Sequence, residues 1–118
     1  MLRKMLKVKI QQATVTDKNL YYEGSLTLDK EIMDRAGLLP FEAVWIYNIN
    51  NGARFETYLI EGEKGQVILN GAAARLGEVG DQLIIAAYAW VGEGDLPYFK
   101  TRIIYLKEQN EIQQIKSL

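Results

Sequence analysis

The sequence predicts a mainly β fold, a small barrel or sandwich of about seven short strands decorated by two short helices. Three observations point to it: several short runs alternate apolar and polar residues, an Asn-Gly pair separates two such runs, and only two short stretches have a helical pattern. With 118 residues, 48% of them apolar and 25% charged, the chain is expected to form a single domain, 1–118.

The first two predicted strands place polar side chains opposite the core. Residues 6–10 alternate leucine, valine and isoleucine with lysine, so Lys9 lies on the polar face. The next strand, "GSLTL" at 24–28, puts Ser25 and Thr27 on one face and its leucines on the other.

A short helix is predicted after this strand. Asp29 can cap a helix through "KEIMDRA" at 30–36, in which apolar residues form a stripe. Gly37 then supplies the end of the helix.

A hairpin is predicted in the middle of the chain. "FEAVWIYNI" at 41–49 is followed by Asn-Asn-Gly and by "ARFETYLI" at 53–60, and Asn-Gly between β-like runs is a strong hairpin signal. Alternation along the returning strand puts Arg54 and Tyr58 on one face and Thr57 on the other.

The second half continues with strands. Three apolar runs are typical of buried strands: "QVIL" at 66–69, "QLIIAAYAW" at 82–90 and "RIIYL" at 102–106. Asn70 stands at the N-cap position of the short helical segment "GAAARLG" at 71–77. We expect a loop at 91–97 and, in the polar end 107–118, an edge strand that frays.

The composition excludes several kinds of site. The chain contains no histidine and no cysteine, so Ser-His-Asp and Cys-His centres and His/Cys zinc sites are excluded. A formal net charge of -1 gives no general attraction for nucleic acid or an anionic membrane. The N-terminal "MLRKMLKVKI" has no apolar stretch long enough for a signal peptide or a membrane span. We therefore expect a cytoplasmic protein without nucleic-acid or membrane partners.

Four patterns could carry chemistry: Lys9, "YYEGSLT" at 21–27, "NNGARFETY" at 50–58 and "NGAAA" at 70–74. Each alone has a structural explanation: a solvated lysine, a Gly-Ser turn, an exposed arginine beside a packed tyrosine, and tight alanine packing. In this order and at this spacing they resemble the aspartate 1-decarboxylases, pyruvoyl-dependent enzymes that convert L-aspartate to β-alanine for pantothenate synthesis. The resemblance extends to about Tyr88 and then weakens.

The resemblance implies a small double-psi β-barrel that cleaves itself between Gly24 and Ser25, into chains 1–24 and 25–118. In that family the serine hydroxyl attacks the preceding glycine carbonyl, and the resulting ester gives way to a pyruvoyl group made from the serine. The substrate amine forms an imine with this ketone, which accepts the electrons left when CO2 departs. The implied cofactor is thus a covalent pyruvoyl group, without metal or pyridoxal phosphate.

The resemblance also implies roles for other residues. Lys9 and Arg54 match the residues that hold the substrate carboxylates, a suitable task for a point charge and a bidentate fork. Tyr58 matches the proton donor, and Thr57 matches a residue that assists self-cleavage by stabilising the oxyanion. Thr57 also matches a substrate-binding position, as do Asn70, Gly71, Ala72 and Ala73. Tyr22 matches a pocket residue.

The chain departs from the family pattern in three places. It has Gln11 and Gln12 where His-Arg is common, Tyr47 where tryptophan is common, and a shorter, Gly-containing "VGEGDLPYF" at 91–99. None removes a residue assigned to chemistry, but Gln11 bears on the efficiency of self-processing. The family assembles as a homotetramer with sites between subunits, and the sequence leaves open whether processing needs a maturation factor.

Two alternatives stay open. One is a barrel of the same ancestry that never cleaves and serves as a binding or structural unit. The other is a pyruvoyl enzyme for another small amino acid. Lys9 and Arg54 favour a dicarboxylic substrate, because one cation would suffice for a single carboxylate.

Overall fold

The computed structural model describes residues 1–118, which form nine strands, one α-helix and three short 3-10 helices. The strands are β1 (Leu2–Thr14), β2 (Asp17–Asn19), β3 (Ser25–Asp29), β4 (Ala43–Asn48), β5 (Arg54–Gly62), β6 (Val67–Asn70), β7 (Gln82–Gly92), β8 (Arg102–Leu106) and β9 (Ile112–Ser117). Helix α1 covers Lys30–Ala36, and the 3-10 helices cover Gly71–Leu76, Leu96–Tyr98 and Glu108–Asn110. About half of the residues lie in strands, which confirms the mainly β prediction.

The strands form one curved sheet in the order β2-β6-β3-β5-β4-β7-β1-β8-β9. Three neighbouring pairs are parallel, β1 with β8, β2 with β6 and β3 with β5, and the others are antiparallel. Parallel neighbours need long crossover connections, and the connection from β3 to β5 contains α1 and β4. The fold is a small double-psi β-barrel, as the resemblance implied.

The barrel core is built from the apolar face of each strand. Val8 and Ile10 of β1 are fully buried, whereas Lys9 between them is half-buried on the opposite face. Strand β3 differs from the others because all five of its residues are buried. Its polar side chains, Ser25 and Thr27, are therefore enclosed as well.

Helix α1 begins and ends as predicted. The Asp29 carboxylate accepts a hydrogen bond from the Glu31 N–H at 2.8 Å, which caps the helix. Gly37 adopts a φ of 70° and donates its N–H to carbonyls of the last turn, the left-handed end that glycine favours. The buried stripe of Ile32, Met33 and Ala36 packs into the core.

The predicted hairpin joins β4 and β5, with a turn longer than a two-residue Asn-Gly turn. Residues 49–53 form it, and the Asn51 side chain accepts a hydrogen bond from the Ala53 N–H at 2.8 Å. The Asn48 amide ties the hairpin to the rest of the barrel by donating to the Asp81 carboxylate at 2.9 Å. This bond and the Glu78 N–H lower the pKa of the Asp81 carboxyl. The hairpin that carries Arg54 and Tyr58 is thus held at its tip.

Several elements are longer than the sequence predicted. Strand β1 runs from Leu2 to Thr14 because two register shifts let one irregular strand pair with β7 along its length. Strand β7 continues to Gly92, so the loop predicted at 91–97 is shorter, and β2 was not predicted. The polar C-terminal segment forms edge strand β9, as expected. None of the helices is long and apolar enough to cross a membrane.

Candidate active site

Ser25 begins strand β3 and is almost completely buried, with 1% of its surface exposed. Its hydroxyl oxygen accepts a hydrogen bond from Nδ2 of Asn70 at 3.0 Å. It also lies 3.4 Å from the carbonyl oxygen of Glu23, to which it donates. The Ser25 hydroxyl is therefore turned back towards the chain that precedes it, on the side of Gly24.

Asn70 holds this hydroxyl from the neighbouring strand. It is paired with Ser25 across β3 and β6, and its amide also donates to Oγ1 of Thr27 at 2.9 Å. Asn70 occupies the N-cap position of the 3-10 helix as predicted, but its side chain makes no cap hydrogen bond. Both amide hydrogens are instead committed to hydroxyl groups of β3.

Thr27 is the member of this group that sequence reasoning did not select. It is 8% exposed, and it shares the Asn70 amide with Ser25. The available signal was alternation, which places Thr27 on the same face as Ser25. Alternation alone cannot show that an asparagine from β6 reaches both hydroxyls.

The backbone of Gly71 packs directly against the Gly-Ser step. Gly71 has a φ of 61°, and a Cβ atom there would lie 2.6 Å from the Gly24 Cα and 2.9 Å from the Tyr22 carbonyl oxygen. Only glycine fits this close approach between two backbones. The first N–H groups of a helix lack intrahelical partners, and here they belong to Gly71, Ala72 and Ala73.

Tyr22 meets this region through its backbone. Its carbonyl oxygen faces Gly71, whereas the residue as a whole is 52% exposed. The neighbouring Tyr21 is 95% exposed. The stretch "YYEGSLT" is therefore a turn that enters a fully buried strand at Ser25.

Tyr58 and Thr57 lie beside the Gly-Ser step in the sheet register. The first pair of the parallel β3–β5 ladder is Leu26 with Leu59. In the sequence, Ser25 and Tyr58 each come one residue before this pair, and Gly24 and Thr57 each come two residues before it. Thr57 makes no hydrogen bond to Gly24 or Ser25.

The predicted alternation along β5 is confirmed. Thr57 is paired with Val44, a residue of the buried core, whereas Tyr58 is paired with the exposed Ala43 on the other face. The Tyr58 ring also faces Phe41, with ring centroids 6.2 Å apart. Phe41 has a φ of 69°, a strained value for a bulky residue.

Arg54 lies on the same face as Tyr58, at the start of β5. It is paired with Tyr47 of β4, and its guanidinium carbon lies 3.9 Å from the centre of the Tyr47 ring. The Tyr47 hydroxyl is 2.6 Å from the Tyr88 hydroxyl. Burial, followed by this hydrogen bond, raises the pKa of Tyr47 to about 12.

Lys9 completes a cationic face on the outside of the sheet. It is paired with Ala86, which is paired in turn with Trp45 of β4. Lys7 is engaged by the Glu42 carboxylate, whereas neither Lys9 nor Arg54 is paired with a carboxylate. Two cations on this face are therefore available to a ligand.

One chain does not gather all the predicted residues around Ser25. Arg54 lies four residues from Tyr58 along β5, about 13 Å at the usual rise of a strand. Lys9 is on β1, three strands away from β5. The site residues thus form two groups, the Ser25 group (Gly24, Ser25, Thr27, Asn70, Gly71) and the cationic face (Lys9, Arg54, Tyr47, Tyr88), with Tyr58 between them.

Comparison with known proteins decides the family. Residues 1–113 match the family described as aspartate decarboxylase. The chain belongs to the aspartate decarboxylase family. The match continues well beyond Tyr88, where the sequence resemblance weakened, and it contains every candidate site residue.

Relatives of the aspartate decarboxylase family from several bacteria are similar over nearly the full chain. A protein of Sulfurihydrogenibium sp. is 52% identical over all of this chain and 90% of its own length. One of Persephonella marina is 53% identical over 95% of this chain and 81% of its own. One of Leptospira biflexa is 51% identical over 93% of this chain and 96% of its own. All three are named aspartate 1-decarboxylase.

Proposed function

We propose that the protein cleaves itself between Gly24 and Ser25 and then decarboxylates L-aspartate to β-alanine and CO2, for pantothenate synthesis. The observation that carries the proposal is the buried Ser25 hydroxyl, which accepts a hydrogen bond from Asn70 and donates to the carbonyl oxygen of Glu23, just upstream of Gly24. Membership of the aspartate decarboxylase family supports the same reaction.

The Ser25 group is suited to an N-to-O acyl shift. The Ser25 oxygen bonds to the Gly24 carbonyl carbon, the Gly24–Ser25 amide bond breaks, and the hydroxyl proton passes to the amine of residue 25. Asn70 donates a hydrogen bond to the Ser25 oxygen and so fixes the position of the attacking group. Thr57 lies two residues before the first β3–β5 pair, as Gly24 does, and is the candidate donor to the carbonyl oxygen.

The surroundings of residue 25 fit a pyruvoyl group. A keto oxygen can accept hydrogen bonds but cannot donate them, and the Asn70 amide, already 3.0 Å from the Ser25 oxygen, is a donor. The close backbone packing of Gly71 leaves no room for a side chain on this side of Gly24. When formed, the ketone supplies an electron sink for decarboxylation of an amino acid.

The cationic face is suited to a dicarboxylic substrate. Lys9 and Arg54 offer a point charge and a fork to two carboxylates, and the N–H groups of Gly71, Ala72 and Ala73 offer further donors. Tyr58 lies between the two groups, and a phenol remains protonated at neutral pH, so it can donate a proton to the carbon that loses CO2.

The separation of the two groups supports assembly of the complete site from more than one chain. We propose a homotetramer with sites between subunits, working in the cytoplasm without metal, pyridoxal phosphate, nucleic acid or membrane. Gel filtration at several protein concentrations would measure its size.

Substrate choice tests the proposed reaction. Processed enzyme should release CO2 from L-aspartate much faster than from L-alanine or L-glutamate, and Arg54→Ala should lose most of this activity because the carboxylate loses its fork. Arg35→Ala, an exposed arginine on α1, is the matched control and should retain activity. Equal release from alanine and aspartate would contradict the dicarboxylate assignment.

A further inference from the structure

The Tyr47 ring forms a platform under the substrate-binding arginine. The Arg54 guanidinium lies 3.9 Å from the ring centre, within the range of a cation–π contact. A guanidinium stacked on a ring keeps its N–H groups at its edges, where a carboxylate can bind them in pairs. No acceptor in the chain occupies these N–H groups.

The platform is itself fixed from the far side by Tyr88. The two phenol oxygens are 2.6 Å apart, the length of a strong O–H···O bond. Tyr88 lies on β7, which is hydrogen-bonded to β4, so the bond ties the Tyr47 ring to the next strand. The Tyr47 ring also stacks on Trp45, with centroids 6.4 Å apart. The ring therefore has little freedom to turn away from Arg54.

Preorganisation is what an exposed arginine needs in order to bind a small carboxylate. Arg54 is solvent-exposed and without an ion pair, and ordering a long side chain on binding costs conformational entropy. Because the Tyr47 ring is held in place below the guanidinium, the Arg54 side chain is already partly ordered before the ligand binds.

We propose that Tyr88 is a positioning residue for carboxylate recognition: its hydroxyl holds Tyr47, and the Tyr47 ring holds the Arg54 fork. The inference rests on the proposed function for the identity of the ligand, a substrate carboxylate. Tyr88 itself touches neither the substrate nor Ser25 in this assignment. Loss of its hydroxyl should weaken binding and leave cleavage and chemistry intact.

The test compares Tyr88→Phe with wild type in the self-processed protein. Succinate, a dicarboxylate without an amine, is the calorimetric probe, and aspartate kinetics are measured in parallel. We expect the succinate Kd and the aspartate KM to rise about fivefold, with kcat within about twofold of wild type and self-cleavage unchanged. Tyr105→Phe, which removes a hydroxyl with no hydrogen-bond partner on β8, should change neither value.

A double-mutant cycle separates positioning from general packing. Tyr47→Phe keeps the ring under Arg54 and removes the same hydrogen bond, so it should match Tyr88→Phe. The double variant should lose no more affinity for succinate than either single variant, because all three variants lack the same Tyr47–Tyr88 hydrogen bond. Additive losses, or unchanged Kd and KM in Tyr88→Phe, would overturn the inference.

The outcomes also distinguish this inference from the proposed function. If wild type releases CO2 from aspartate and Tyr88→Phe binds succinate normally, the positioning role is wrong and the proposed function stands. If wild type binds succinate but does not act on aspartate, and Tyr88→Phe binds succinate more weakly than wild type, the positioning role stands and the proposed reaction is wrong.

Discussion

Asn70 shows how a single buried side chain can hold the hydroxyl of Ser25 in place. It is 3% exposed, and both hydrogens of its amide go to hydroxyl groups of β3. A buried amide left without acceptors costs free energy, so Ser25 and Thr27 and the amide hold one another in place. Thr27 thereby contributes to the orientation of Ser25 without contacting the Gly24 peptide.

Replacing Thr27 by valine tests this coupling. Thr27→Val keeps the shape and leaves one Asn70 N–H unpaired, so the free energy of unfolding should fall by about 1–3 kcal/mol and self-cleavage should slow. Urea unfolding and gel densitometry measure the two effects. Thr101→Val removes a hydroxyl that donates to the Leu6 carbonyl at 2.8 Å and should destabilise without slowing cleavage. Equal cleavage rates in both variants would contradict the role of Thr27.

Two neighbouring residues of β5 are predicted to serve different steps. Tyr58→Phe deletes only the phenol hydroxyl, so the protein should still cleave at Gly24–Ser25 but scarcely form β-alanine. Thr57→Val should show the opposite first failure, slow or absent cleavage. Denaturing electrophoresis and β-alanine assays measure both, with circular dichroism as the folding control. Blocked cleavage in Tyr58→Phe together with normal cleavage in Thr57→Val would reverse the assignment.

At the scale of elements, the sequence predicted those features that depend on interactions between residues close in the chain. The Asp29 cap, the Gly37 end of α1 and the alternation of β5 follow from residues close in sequence. The two shifts in β1 do not, because a bulge depends on the pairing partner and breaks the period-two pattern. For the same reason the sequence suggested Ser25 and Asn70 separately, while their hydrogen bond and the Tyr47–Tyr88 contact required the pairing of distant strands.

The approach of the 3-10 helix to β3 gives a prediction at this scale. Gly71→Ala would place a methyl group 2.6 Å from the Gly24 Cα, so it should displace the cleavage site and strongly slow cleavage. Gly52→Ala is the matched control, since Gly52 has a φ of 76° with nothing within 4 Å of an added Cβ. Both should lose about 1–2 kcal/mol of stability from the positive φ, as thermal unfolding would show. Rapid cleavage in Gly71→Ala would contradict the close packing.

At the scale of the whole molecule, the barrel separates the proposed self-cleavage site from the cations that we propose bind the substrate carboxylates. Ser25, Thr27 and Asn70 are buried on β3 and β6, whereas Lys9 and Arg54 lie on the outer face of the sheet. The composition already excluded His- and Cys-based chemistry. The family assignment agrees with the motifs on which the sequence resemblance rested. In the proposed homotetramer the two parts would come together through contacts between chains, which local sequence patterns do not predict.

The most direct test of self-cleavage at Gly24–Ser25 is the intact mass of the purified protein under denaturing conditions. We expect two chains, residues 1–24 and residues 25–118, with the N-terminus of the larger chain blocked to Edman sequencing. Ser25→Ala, measured in parallel, should give one chain of 118 residues. A wild-type protein that keeps the full-length mass after prolonged warming would contradict self-cleavage at Gly24–Ser25 and favour a barrel that binds without catalysis.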